Sequence, residues 1–351
     1  MRAITVLPGT ANSGRLDEVP EPHPADGTLL VRTLALGVCG TDREIVAAAY
    51  GSAPPGEERL ILGHESLGVV EEAPVASGFT RGDHVVGIVR RPDPVPCPAC
   101  AAGEWDMCRN GRYTERGIKE RHGFGAEHFR LEPDFAVKVD PDLGELAVLL
   151  EPTSIVAKAW DHSDRIARRA RTATPRRLLV TGAGPIGFLA AQLGRQRGLD
   201  IHVFDRAEKG PKLDLTRGLG GAYHTGKVTD VLKDVRPDIL MECTGAAAVI
   251  RDVLSHVAPN GIICLAGVSA SGRDMEIDIG QLNRTMVLEN QVVFGTVNAN
   301  RSHYEAAAKA LSAADRGWLK HLISRRVPLD RWIDALDNRP DDIKVVVDFT
   351  S

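Results

Sequence analysis

The sequence predicts an α/β protein of two domains, one β-rich and one built on a doubly wound parallel sheet covered by helices. Three observations carry that expectation. The chain has 351 residues, 43% of them hydrophobic and 26% charged, enough for about two separate cores. Up to about Val139 it runs as short β-type stretches, such as Leu29-Leu30-Val31-Arg32 and Leu67-Gly68-Val69-Val70, broken by Gly, Pro and Asp. From Arg177 onward apolar strands, glycine turns and helical stretches alternate, the pattern of a parallel sheet with a helix on either face.

The second domain is expected to begin near Val156. Its buried strands are predicted at Leu178-Leu179-Val180, Ile201-His202-Val203-Phe204, Asp238-Ile239-Leu240-Met241, Ile262-Ile263-Cys264-Leu265 and Gln291-Val292-Val293-Phe294. After about Asn298 come an amphipathic helix from Ser302 to Ala314 and short elements ending in Lys344-Val345-Val346-Val347-Asp348-Phe349, a tail expected to return to the first domain. No internal repeat or low-complexity segment interrupts this plan.

Composition excludes some classes of function. A formal net charge of −4 leaves no basic excess to neutralise nucleic-acid phosphates, so a small-molecule partner is expected. No apolar run reaches membrane-spanning length, and the N-terminus enters a strand-like pattern without a signal core, so the expected location is the cytoplasm, away from any membrane. Six cysteines are too few for a disulfide framework, and the crowding of Cys97, Cys100 and Cys108 suggests metal first.

Gly182-Ala183-Gly184-Pro185-Ile186-Gly187 follows one predicted strand and opens a helix, the context a dinucleotide-binding GxGxxG motif requires. Gly182 permits the tight turn, Gly184 clears the approach of a pyrophosphate, and Gly187 lets helix and strand pack closely. The helix start presents free N–H groups to the phosphates. At the end of the next strand Asp205 is placed to bind an adenosine ribose, which favours NAD over NADP. Arg206, Lys209 and Lys212 follow closely enough to offset the repulsion of a 2′-phosphate. Thr244, Gly267 and Asn298 complete the cofactor-binding candidates. This is the signature of a Rossmann domain, although a fold alone does not establish chemistry.

Cys39 lies in Gly37-Val38-Cys39-Gly40-Thr41-Asp42, and His64 in Gly63-His64-Glu65 at the head of an apolar run. Thiolate and imidazole suit zinc, and a carboxylate from Glu65 or Glu151 could complete a tetrahedron with one place open for substrate. Either residue alone would more often be structural. Asp42, His122 and His128 are read as structural residues.

These strings, with Cys97-Pro98-Ala99-Cys100, Cys108, Glu151-Pro152 and the glycine motif, resemble in order those of medium-chain zinc-dependent dehydrogenases. Tyr113-Thr114-Glu115-Arg116-Gly117-Ile118, His122-Gly123-Phe124 and Thr296-Val297-Asn298 are most similar to the glucose 1-dehydrogenase branch. The resemblance implies a GroES-like catalytic domain from residues 1–155 and 299–351, a Rossmann domain from 156–298, and an active site in the cleft between them. It implies that Cys39, His64 and an acid hold the catalytic zinc, with relatives differing over whether the match to Glu65 or to Glu151 is a direct ligand. It places the Thr41 hydroxyl beside the substrate oxygen, where it could relay a proton, and Glu115, Glu151 and Asn298 around a sugar ring.

Cys97, Cys100 and Cys108 match the last three of the four structural-zinc cysteines in that family, while the first falls at Pro94. Either a second zinc takes a fourth donor, for which Asp93 and Glu115 are the nearby carboxylates, or the lobe is a metal-free loop of thiols. The leading expectation is a zinc- and NAD(P)-dependent aldose 1-dehydrogenase acting as a homo-oligomer, dimer or tetramer. The alternatives are a polyol, cyclitol or amino-alcohol dehydrogenase of the same mechanism, and a dinucleotide-binding protein without turnover.

Overall fold

A computed structural model describes residues 1–171, 174–254, 256–269 and 274–351. The chain divides into two compact units, Met1–Ser154 with Asn298–Ser351, and Ile155–Val297. Among the described residues no helix is long and apolar enough to cross a membrane.

The first unit is β-rich. Its main sheet runs in the order Ala136–Lys138, His84–Gly87, Glu65–Glu72, Leu29–Val38, Lys344–Asp348 and Ile323–Pro328. Leu29–Val38 is its axis and is longer than the four residues legible in the sequence. On one side it pairs with Glu65–Glu72. On the other its first half pairs with His128–Leu131 and its second half with the C-terminal strand, so the tail belongs to this unit. Ile4, Leu29, Val31, Leu36, Phe124 and Phe129 pack in its core. Ile323–Pro328 gave no sequence signal, because exposed and buried residues mix along it around two arginines.

The second unit holds a six-stranded parallel sheet in the order Ala222–His224, Asp200–Phe204, Arg177–Thr181, Ile239–Glu242, Ile262–Leu265 and Val292–Gly295. Five of these strands match the apolar runs within a residue. The sixth, Ala222–His224, is a short edge strand that stays partly exposed and therefore lacks the continuous apolar run of its neighbours. Leu179, Phe204, Leu232, Leu240 and Ile263 form a core on one face of this sheet. The arrangement is that of a Rossmann fold.

Candidate metal and dinucleotide sites

The register of two strands builds the metal-donor set. Gly37 pairs with Glu65 across the main sheet. Cys39 follows two residues on, as N-cap of the helix Gly40–Val46, and His64 immediately precedes its own strand, so both arrive at the same end. Cys39 Sγ and His64 Nε2 lie 3.1 Å apart, and these donors with a Glu65 oxygen fall within 4.8 Å of one another. Glycine at 37 is obligatory, because a Cβ there would collide with the Glu65 carboxylate.

Asp42, read from sequence as structural, orients this set. One oxygen accepts from the Cys39 backbone N–H at 2.9 Å, and the other lies 3.4 Å from His64 Nδ1. An acid three residues past the cap is the capping-box signal that announces this contact. With Nδ1 against Asp42, the His64 Nε2 is left facing the thiol, the second-shell arrangement that zinc-binding histidines use. Burial by itself would lower the His64 pKa, but Cys39 and Asp42 hold it well above its ordinary value. A divalent cation among these groups reverses that direction, since thiol and imidazole both coordinate without their protons.

Lys344 was not legible as a site residue. Its fully buried ammonium donates to Val38 O at 3.2 Å and to Glu65 Oε1 at 2.7 Å. The Glu65 charge is therefore compensated by the protein itself. Glu151, buried in the first turn of the helix Leu150–Ala167, stands outside the close donor group. Burial pushes its carboxyl up to about 7, His64 and Lys344 opposing and Glu65 and Asp42 adding to the rise. Thr41 lies half-buried in the helix that Cys39 caps.

Glu115 and Asn298 meet directly. The buried Glu115 Oε1 accepts from Asn298 Nδ2 at 2.7 Å and from Arg90 Nε at 3.1 Å and Nη2 at 3.0 Å. Arg90 is a second residue the sequence did not disclose. Asn298 adopts a left-handed backbone, φ 60°, and its Oδ1 accepts from Ala299 N at 2.8 Å.

Cys97, Cys100 and Cys108 converge within 4.8 Å. The backbone N–H of Arg109, with that of Cys100, draws the Cys97 thiol down to about 6, while burial pushes Cys100 up to about 11. Neither suggested fourth donor joins them. Glu115 is held by Arg90 and Asn298, and the Asp93 oxygens accept from Val95 N at 2.8 Å and from Arg112 Nε at 3.3 Å.

In the second unit each motif glycine has a separate steric role. Gly182 turns at φ 98°, a Cβ on Gly187 would collide with the Gly182 carbonyl, and Gly184 faces open space where a phosphate can approach. Pro185, Ile186 and Gly187 form the first turn of the helix Pro185–Gln196. Asp205 Oδ2 accepts from Ala183 N within the glycine turn at 2.8 Å, and Oδ1 from Ala207 N at 3.1 Å, with Lys212 Nζ 3.3 Å from both. Burial opposes ionisation, but these donors hold the carboxyl below its ordinary range. Arg206 and Lys209 are exposed. Thr244 and Gly267 are organised by Glu242, fully buried and unremarked in the sequence, which accepts from Thr244 N at 2.7 Å and, through its backbone oxygen, from Gly267 N at 2.9 Å.

Comparison with known proteins covers both units of the chain. Residues 144–349 match the family described as glucose dehydrogenase C-terminus, and residues 25–141 the alcohol dehydrogenase GroES-like domain. Glucose 1-dehydrogenase of Methanocella arvoryzae is 39% identical over 99% of both chains, as is that of Thermoproteus tenax. The solved structure of Haloferax mediterranei glucose dehydrogenase in complex with NADP, Zn and gluconolactone superposes with a TM-score of 0.92 at 32% identity, covering 100% of both chains.

The three-thiol lobe gives a countable expectation. Metal analysis of purified protein should find about two zinc ions per chain, and Cys108→Ser about one. A wild type holding only one ion would make the lobe a metal-free loop.

Proposed function

The chain belongs to the glucose dehydrogenase family of medium-chain zinc-dependent dehydrogenases, and from that premise we propose that it oxidises a glucose-like aldose at C1 with a nicotinamide dinucleotide as hydride acceptor. The observation that carries the reading is the convergence of Cys39, His64 and Glu65 donors at the joint of two strands. Polyol and amino-alcohol oxidation, and dinucleotide binding without turnover, are not favoured beside relatives of this identity.

Cys39 and His64 hold the zinc, with Glu65 or Glu151 as the acidic partner. When bound, zinc supplies the Lewis acidity that makes a sugar hydroxyl easier to deprotonate. Asp42 keeps the imidazole oriented, and Lys344 neutralises Glu65 so that the site does not accumulate uncompensated carboxylates. The Thr41 hydroxyl relays the proton outward. Glu115, Glu151 and Asn298 receive ring hydroxyls; Arg90 fixes the Glu115 carboxylate before substrate arrives.

In the second unit Gly182, Gly184, Pro185, Ile186 and Gly187 hold the pyrophosphate, Asp205 and Arg206 the adenosine ribose, and Thr244 and Gly267 the rest of the dinucleotide. NAD is the preferred acceptor and NADP is also used, because Lys212 already offsets the Asp205 charge. We further propose a cytoplasmic homo-oligomer. The edge strand Val292–Gly295, near exposed Val287, Leu288 and Val297, supports pairing with a second copy.

Cys39→Ala and His64→Ala should each abolish turnover and lower the zinc content while leaving NAD affinity within about twofold, since donors and glycine motif lie on separate units. Calorimetric titration of NAD checks this, and loss of NAD binding in both variants would contradict it. Glucose should exceed ethanol in kcat/KM by about 1,000-fold or more, because a pocket built for hydroxyls leaves polar groups unpaired without them. Glu115→Gln and Asn298→Ala should each lower kcat/KM for glucose by about tenfold or more. Ethanol turnover equal to that on glucose, or full sugar activity in both variants, would replace the aldose reading with a general alcohol dehydrogenase. Lys212→Ala should shift the ratio of kcat/KM towards NAD by about tenfold. An unchanged ratio would remove Lys212 from cofactor choice.

A further inference from the structure

A cavity of about 650 Å³ lies in the first unit and shares no lining residue with the donor set Cys39, His64, Glu65 and Glu151. Its volume is that of a small-molecule pocket. Most charges on its wall are matched. Arg59 meets Asp17 at 3.2 Å, Arg121 meets Glu132 at 2.7 Å, and His122 Nε2 lies 2.8 Å from Glu57.

Among the arginines of the wall Arg116 is the exception. It is 4% exposed, and its guanidinium donates only to neutral carbonyls, from Nη1 to His122 O at 3.3 Å and from Nη2 to Arg130 O at 2.7 Å. Its buried Nε has no acceptor among the described residues. Burial first, then the like charges of Arg91 and Arg121, push this guanidinium well below its usual range, against the smaller opposing pull of Glu132 and Asp26. Arginine nevertheless stays protonated in proteins, so Arg116 is a buried charge with no ion pair of its own among the described residues, Glu132 and Asp26 acting on it only from a distance.

We propose that this cavity binds a small hydroxycarboxylate, its anionic group seated on Arg116. The unpaired guanidinium suits a single anionic group placed against it, and a planar carboxylate fits its fork. A dianionic phosphate would face the cavity's own carboxylates, Asp26 and Glu120 among them, which suit ligand hydroxyls instead. The site is distinct from the proposed sugar pocket, since neither Glu115 nor Asn298 lines it.

The test is calorimetric titration of the full-length protein with gluconate, and separately with inorganic phosphate. Two variants locate the binding: Arg116→Gln removes the charge, and Ala25→Trp fills the cavity from an exposed lining position while leaving Arg116 in place. Gluconate should bind the wild type, and each variant should weaken it by about tenfold or more. Phosphate should bind weakly or not at all, and no differently to the wild type and to Arg116→Gln. Should Arg116→Gln fail to fold, Ala25→Trp decides alone. Absence of gluconate binding to the wild type, an affinity unchanged by the variants, or phosphate binding that depends on Arg116 would each overturn the proposal.

Discussion

The pairing of Gly37 with Glu65 across two antiparallel strands is the constraint on which the metal-donor set depends. Side chains alternate along a strand, so a slip of one residue would turn Glu65 to the opposite face and draw Cys39 and His64 apart. The pairing holds because Gly37 leaves room for the Glu65 carboxylate and because a third strand locks it. Val345 pairs with Val38, which carries the buried Lys344 to the same carboxylate from the far end of the chain. One ion pair thus joins three strands that are remote in sequence, and the Cys39–His64 geometry is the outcome.

Charge compensation extends the same logic through the first unit. Glu65 has Lys344, and Glu115 has Arg90. Removing one partner of such a buried pair costs about 3–5 kcal/mol, because the other charge is left stranded. Glu151 has no ion pair among the described residues, and burial pushes its carboxyl up to about 7. A divalent cation beside it would draw that value back down. The acids nearest the thiol and imidazole therefore fall into two kinds, one paired with a cation of the protein and one without an ion pair among the described residues.

What was legible in the sequence follows from this division. Strands buried on both faces announce themselves as apolar runs, and the glycine motif announces its turn, because each obeys a local rule. Cys39, His64 and the Cys97–Cys108 lobe were readable because their residue types are rare in such patterns. Lys344, Arg90 and Glu242 were not, since a single Lys, Arg or Glu beside an apolar run reads as a strand end at the surface. Only pairing between distant segments turns them inward. Asp42 stood between these cases: its capping role was local and readable, whereas its contact with His64 required the fold.

The second unit shows how far a local rule reaches. An acid at the end of the second Rossmann strand is commonly taken to select NAD, on the view that its carboxylate is free for the ribose. Here Asp205 also receives the Ala183 N–H and thereby ties the glycine turn to the neighbouring strand, while Lys212 approaches both of its oxygens. The carboxylate thus has a structural task before any cofactor arrives, and its charge is already half answered. Exposed Arg206 and Lys209 add positive charge close by. The field met by a 2′-phosphate is the sum of these four groups, so the acid alone does not set its sign. A rule stated for one residue becomes, in this fold, a property of the strand end and the helix that follows it.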